Sequence, residues 1–118
     1  MFLGTSLTAG LGVDPDSAYP SVVQRLARDA ALDIDVINGG LSGETSAGAL
    51  RRADWVLTQR VAVLVIETGA NDGLRGLDPD TTAANITALI GKARARQPGA
   101  AIVLMQMEAP PNLGPAYT

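Results

Sequence analysis

Short apolar runs alternate with stretches of helical periodicity along the 118 residues of the chain. The apolar runs cover residues 1–3, 34–37, 61–66 and 101–105, and each predicts a β-strand. The run at 61–66, VAVLVI, is apolar throughout and has β-branched residues at alternate positions. That pattern predicts a strand buried on both faces of a parallel sheet.

Three segments between these runs repeat apolar residues at helical spacing. The first covers residues 19–30 and has Pro20 in its first turn, the second is capped by Thr45 or Ser46, and the third begins at Asp78 and Pro79 and stops at 97–99. The predicted buried positions are Val22, Val23, Leu26, Ala27 and Ala30 in the first helix, Leu50, Ala53, Val56 and Leu57 in the second, and Ile86, Leu89, Ile90 and Ala93 in the third.

The order β-α-β-α-β-α-β predicts an α/β fold with a parallel sheet and helices on both faces. Residues 108–118 are rich in proline and predict a loop. A doubly wound sheet usually has a fifth strand and a covering helix. We therefore expect residues 1–118 to form one partial domain that lacks its last elements and a few residues before Met1.

Composition narrows the classes of function. Hydrophobic residues make up 47% of the chain, as in globular domains, and the length suits a single core. The net charge of −3, the absence of a basic cluster and the 3% aromatic content disfavour nucleic-acid binding. The chain has no cysteine and no histidine, which excludes disulfides and thiolate zinc sites. We expect no stable membrane insertion and no signal peptide, and the compartment stays open.

Candidate functional residues lie in the loops after three of the predicted strands. Ligands of open parallel sheets bind at the carboxyl ends of the strands, where Ser6, Gly43 and Asn71 stand. If the strand order is 2-1-3-4, these three loops converge. A serine hydroxyl can attack an ester carbonyl, and a glycine-loop N–H, the Ser6 N–H and an asparagine NH₂ can donate to the oxyanion that forms.

Each of these residues also has an ordinary structural explanation. Ser6 is a preferred helix cap, Gly43 suits a turn with positive φ, and Asn71 lies in the turn-forming sequence NDG. Asp14 and Asp16 fit a solvated loop. The set Arg51, Arg52 and Asp54 fits an exposed helix face of mixed charge. The spacing around Ser6 matches neither a phosphate-binding P-loop nor a Gly-x-Ser-x-Gly elbow.

Four sequence blocks, in order, resemble the GDSL or SGNH hydrolases: FLGTSLTAG, NGGLSGETSAGAL, ETGANDGLRGL and MEAPPNLGPAYT, the last typical of the arylesterase and thioesterase/lysophospholipase branch. The resemblance implies a flavodoxin-like three-layer fold and hydrolysis of carboxylic esters or thioesters without a metal or cofactor. By position it implies Ser6 as nucleophile and Gly43 and Asn71 as oxyanion donors. It also implies an acyl groove near Pro110, Pro111 and Asn112.

Two departures from the family pattern change the expectation. Thr5 stands where the signature has aspartate, so we expect a looser loop. The Asp-x-x-His block that supplies the base is absent, and loss of the histidine in a serine hydrolase costs on the order of 10⁶-fold in turnover. We therefore expect this chain to hydrolyse its small-molecule ester or thioester substrate weakly.

Other possibilities stay open beside the hydrolase. One is a non-catalytic lipid- or carbohydrate-binding remnant of the same fold, and another is an unrelated flavodoxin-like binding domain. The edge of the fourth strand, if unpaired, predicts marginal stability or self-association.

Overall fold

The computed structural model describes residues 1–117 and contains one parallel sheet. Its strands are β1 (Phe2–Gly4), β2 (Asn38–Gly40), β3 (Val63–Ile66) and β4 (Ala101–Leu104), in the order β2-β1-β3-β4. All three neighbouring pairs are parallel. The predicted α/β fold and strand order are therefore confirmed.

Five helices connect the strands: α1 (Ser6–Ala9), α2 (Tyr19–Asp29), α3 (Ser46–Val56), α4 (Ala70–Leu74) and α5 (Pro79–Arg96). Short 3₁₀ turns lie at Pro15–Ser17, Pro111–Leu113 and Pro115–Tyr117. Thr45 caps α3 and Asp78 caps α5 through their side-chain oxygens, as the sequence predicts. Over residues 1–117, none of the helices has the length and apolar content needed to cross a bilayer.

The core lies on one face of the sheet, beneath α3 and α5. Its centre is formed by Leu3, Leu64 and Ile66 from the strands and by Ala53 and Leu89 from the helices, all about fully buried. The alternation of Leu64 and Ile66 with Val63 and Val65 places the two larger side chains on this face. Because α3 follows β2 and α5 follows β3 along the chain, this core lies beneath the helices that come after two of the three candidate loops.

The other face is covered far less. Phe2 meets Tyr19, the first residue of α2, edge to face at 5.4 Å, so helices do lie on both faces. Val63 and Val103 are nevertheless 43% and 47% exposed. The prediction that the 61–66 strand is buried on both faces is therefore wrong within residues 1–117, because no helix of that range packs over Val63.

The predicted apolar face of α2 is also largely solvent-exposed. Only Ala27 of the five predicted positions is buried, and Leu26 is 60% exposed.

The second strand lies further along the chain than the apolar pattern predicts. The backbone of residues 34–36 is hydrogen-bonded to the Gln24 side chain instead of to β1. Gln24 accepts a hydrogen bond from the Val36 N–H and donates one to the Ile34 carbonyl. Pairing with β1 begins instead at Asn38. Gly40 is required there, since a Cβ at this position would lie 2.3 Å from the Ala9 nitrogen of α1. Close packing against α1, not hydrophobicity, selects this strand.

Candidate functional site

Ser6 is the first residue of α1, directly after β1, and is half-buried. The preceding residue, Thr5, is almost fully buried and bonds to the carboxylate of Glu67 at the end of β3. The Thr5 N–H donates to Glu67 Oε2 at 2.8 Å, and the Thr5 hydroxyl lies 2.9 Å from both carboxylate oxygens. Where the sequence led us to expect a looser loop, the structure ties the residue before Ser6 to the neighbouring strand.

The Glu67 carboxylate also organises the base of α1. Thr8 donates its hydroxyl to Glu67 Oε2 at 3.0 Å, and the Thr8 and Tyr19 hydroxyls lie 2.6 Å apart. Burial raises the pKa of the Tyr19 phenol; the hydrogen bond with Thr8 lowers this pKa and the Glu67 charge raises it further. The phenol therefore stays protonated at neutral pH and can serve as a donor in this chain of hydrogen bonds.

Gly43 lies in the loop between β2 and α3, with an exposed backbone at φ +79°. That conformation is strained for any residue with a Cβ, so the loop requires glycine here. Its carbonyl accepts a hydrogen bond from Arg75 Nη2 at 2.7 Å. Among residues 1–117 the Gly43 N–H has no acceptor, so it is available to a ligand.

Asn71 connects the loop after β3 to the loop after β2. It lies in α4, and its Nδ2 donates to the Glu44 carbonyl at 2.9 Å, one residue beyond Gly43. An amide nitrogen carries two N–H donors, so one remains for another acceptor. The structure thus brings Asn71 and the Gly43 loop together. The sequence had left open a plain turn around Asn71, and the structure has a short helix instead.

Asp72 fixes the helix that carries Asn71. Its buried carboxylate accepts from the Ser46 N–H at 2.8 Å, from the Ser46 hydroxyl at 2.6 Å and from the Thr82 hydroxyl at 3.1 Å. Asn85 of α5 adds a bond to the Ser46 hydroxyl at 3.0 Å. Three helices, α3, α4 and α5, therefore meet at one carboxylate directly beside Asn71.

Arg52 performs a similar function below the Gly43 loop. Its Nε lies 2.6 Å from Glu44 Oε2, and its Nη2 donates to the carbonyls of Gly39 and Gly4. The prediction that Arg52 belongs to an exposed charged face is therefore wrong, since its side chain links the ends of β1 and β2 to the loop.

Pro110, Pro111 and Asn112 lie apart from these contacts. All three are exposed, in the segment after β4. Within the described chain no hydrogen bond or ion pair joins them to Ser6, Gly43 or Asn71. Within residues 1–117, no group of three or more Asp or Glu side chains lies close enough together to hold a metal ion.

The sequence reading missed two carboxylates of the site, Glu67 and Asp72. Both lie in the quoted block ETGANDGLRGL, which follows β3: Glu67 comes directly after the strand and Asp72 lies in α4. A carboxylate at that position must find several donors if it is buried. Together these contacts hold the loops after β1, β2 and β3 side by side, with a hydroxyl and several N–H donors at the same edge of the sheet.

Comparisons with known proteins agree with this arrangement. Residues 2–118 match the model of the GDSL-like Lipase/Acylhydrolase family. Esterase TesA of Pseudomonas aeruginosa is 39% identical over 118 residues, which cover 99% of this chain and 58% of TesA. An arylesterase of Vibrio mimicus is 38% identical over 119 positions, covering 100% of this chain and 58% of that protein.

A solved structure has the same fold. The crystal structure of AlinE4, an SGNH-hydrolase family esterase, superposes with a TM-score of 0.90 at 36% identity, covering 98% of this chain and 62% of that one. The chain spans 54% to 58% of the length of the curated relatives it matches. By sequence and by fold, the chain belongs to the GDSL-like lipase/acylhydrolase family.

Proposed function

We propose that the protein acts in ester hydrolysis, with Ser6 as the nucleophile and the Gly43 N–H and Asn71 Nδ2 as oxyanion donors. The substrates are small carboxylic esters or thioesters, of the kind that an arylesterase, an acyl thioesterase or a lysophospholipase takes. Pro110, Pro111 and Asn112 contact the acyl chain in this proposal. No metal or cofactor takes part.

The reaction runs through an acyl-enzyme. The Ser6 oxygen forms a bond to the carbonyl carbon, the hydroxyl proton passes to a base, and the carbonyl electron pair moves to the oxygen held by Gly43 and Asn71. When that electron pair returns, the bond to the leaving alcohol or thiol breaks and the leaving group takes up the proton. Water then attacks the acyl carbon by the same steps and restores the Ser6 hydroxyl.

One structural observation carries this proposal. The Asn71 side chain donates to the Glu44 carbonyl, so the amide and the exposed Gly43 N–H belong to one connected unit. Glu67 holds Thr5, and with it the backbone that enters Ser6. Oxyanion donors need to be held before the reaction begins, and buried hydrogen bonds of this kind hold them. The family match over residues 2–118 supports the same assignment.

The general base that accepts the Ser6 proton is not assigned to a residue of this chain. The 118 residues include no histidine, the usual base for a serine nucleophile. The Glu67 carboxylate is occupied by Thr5 and Thr8. We therefore expect slow turnover by this chain alone, and faster acylation when imidazole in solution supplies a base.

Labelling with a serine-directed phosphonate tests the proposal. We expect covalent modification of Ser6, found by mass spectrometry of the intact protein and its peptides, with a rate that rises with imidazole at constant pH. Ser6→Ala should abolish labelling, and Ser17→Ala, in the exposed 15–17 turn, should leave it unchanged. Equal labelling of the Ser6→Ala protein would overturn the assignment. Saturable ester binding without labelling would favour the non-catalytic binding remnant.

We further propose that two copies associate through β4. This strand is the edge of the sheet, and its outer side has no strand partner within residues 1–117. Val103 and Leu104 are about half exposed beside that edge. Sedimentation velocity should show a dimer that Val103→Lys dissociates and Leu26→Lys, an exposed change on α2, does not. A monomer at all concentrations would contradict this proposal.

A further inference from the structure

An open cavity of about 520 Å³ lies beside Gly43, and neither Ser6 nor Asn71 lines it. Its walls are the Gly43–Glu44 loop, Arg75 and the outer face of α3. On that face Trp55 lies four residues after Arg51 and three after Arg52, the spacings at which side chains are neighbours on a helix. The volume lies within the range of small-molecule sites.

The cavity is positively charged although the chain as a whole is acidic. Three arginines and one glutamate line it, which gives a net charge of +2 in a chain of net charge −3. Arg52 and Glu44 neutralise each other through two hydrogen bonds. The charge that remains is carried by Arg51 and Arg75.

The head groups of these two arginines are available to a ligand. Arg51 is exposed, and its guanidinium has no hydrogen-bond or ion-pair partner in residues 1–117. Arg75 uses one N–H on the Gly43 carbonyl and keeps its other donors. That bond also fixes the Arg75 guanidinium next to the loop proposed to hold the oxyanion. Guanidinium groups match phosphate in both charge and geometry.

We propose that this cavity binds a phosphate group carried by the leaving group of the substrate, through Arg51 and Arg75, with Trp55 against the group attached to the phosphate. The proposal rests on the proposed function, since it assigns the anion to a leaving group. Two sources share this chemistry: a glycerophosphate headgroup and a phosphorylated nucleotide that carries a thiol.

The strand order decides which half of the substrate lies here. Gly43 follows β2, at one side of the sheet, and Pro110–Asn112 follow β4, at the other, with β1 and Ser6 between them. Neighbouring strands lie about 4.8 Å apart, so the two loops leave the sheet on the order of 14 Å apart. If the acyl chain extends toward β4, the leaving group extends toward β2 and reaches the arginines.

Trp55 provides a direct measurement, because it is the single tryptophan of the chain, is 68% exposed and lines the cavity. Its fluorescence is titrated with glycerophosphocholine and with adenosine 3′,5′-bisphosphate, and in parallel with the uncharged glycerol and adenosine. We expect saturable changes with the phosphates alone, weakened by salt. Tighter binding of one phosphate identifies the source, and either result supports the site.

Matched charge removals separate this site from general attraction to a basic surface. Arg51→Gln and Arg75→Gln should each weaken phosphate binding about three- to tenfold. Arg94→Gln, an exposed arginine on the last turn of α5, should leave it unchanged. Equal affinity in all three variants, or equal binding of the uncharged compounds, would overturn the proposal.

Failure of this proposal can be distinguished from failure of the hydrolase assignment. Phosphonate labelling of Ser6 with no phosphate binding refutes the cavity alone. Phosphate binding to a protein whose Ser6 is never labelled refutes the proposed function and its leaving group, and the anion site stands.

Discussion

The two sides of the sheet's carboxyl edge are held in different ways. After β1, β2 and β3, the loops are joined by side chains: Glu67 binds Thr5, Asn71 binds the Glu44 carbonyl, and Asp72 binds the start of α3. After β4, residues 106–113 form only local backbone turns in the described chain, such as the bond from the Leu113 N–H to the Pro110 carbonyl.

Burial explains this difference. Glu67 and Asp72 are 4% and 3% exposed, so every donor around them must find its acceptor in the protein. Such contacts specify one arrangement, because any other leaves a buried group unsatisfied. Polar groups after β4 are exposed and can bond to water in many arrangements. The proposed nucleophile and oxyanion donors thus lie on the side where geometry is specified.

Of the substitutions on the side that contains the loops after β1, β2 and β3, Asp72→Ala should lower the free energy of unfolding most. It leaves the Ser46 N–H and two hydroxyls without their acceptor, and we expect the free energy of unfolding to fall by about 3 kcal/mol. Urea denaturation measures the change. Asp33→Ala, an exposed loop carboxylate, should shift it by less than about 0.5 kcal/mol. Equal effects of the two would show that the Asp72 network does not stabilise the fold.

Glu67→Gln tests the second carboxylate. The substitution keeps the shape but turns one acceptor oxygen into a donor facing the Thr5 and Thr8 donors. We expect a loss of about 2 kcal/mol in unfolding free energy, together with slower phosphonate labelling of Ser6. Glu108→Gln, after β4, is the matched control and should change neither quantity. A stable variant with unchanged labelling would remove Glu67 from the support of Ser6.

Asn71→Ala and Asn112→Ala compare the two sides directly. Asn71 loses its bond to the Glu44 carbonyl, so we expect about 1 kcal/mol lower stability and slower labelling. Asn112 is exposed, and its removal should leave stability unchanged. Thermal unfolding followed by circular dichroism measures the stability of both variants. If the Asn112 variant is destabilised as much as the Asn71 variant, the two sides do not differ as described.

The smallest effect is expected at Asp54, an exposed carboxylate of α3 that accepts hydrogen bonds from Lys92 and Arg96 of α5. The hydrogen bond from Lys92 at 3.0 Å, aided by Arg96, holds the pKa of Asp54 below its usual value. Because the pKa is lowered by folding, the stabilisation is present above the ordinary aspartate pKa and is lost as pH falls through the lower folded value. Melting curves of Asp54→Asn and the parent should therefore converge in acid. A gap that widens in acid would contradict this.

The pattern of hydrophobic and polar residues alone predicted most of the helices and the type of sheet. Helical spacing and caps gave α3 and α5 within a residue or two, and the order of elements gave a parallel sheet. The pattern failed at β2. The apolar run at 34–37 is hydrogen-bonded to the Gln24 side chain, and Asn38–Gly40 pairs with β1 instead. For α2 the pattern predicted the helix correctly but not its burial, since most of its apolar side chains are exposed. At β2 contacts distant in sequence decided the result, namely Gln24 with Val36 and Gly40 with Ala9.

The sequence by itself indicated the type of chemistry that we propose: a serine, a glycine and an asparagine at the ends of successive strands, in the order of a known family, without histidine. Local propensity and motif order need no knowledge of the fold. Only the tertiary structure decided which groups support them. Glu67 reaches Thr5 across 62 positions and Arg75 reaches Gly43 across 32, and pairings of that range exist only once the sheet has formed.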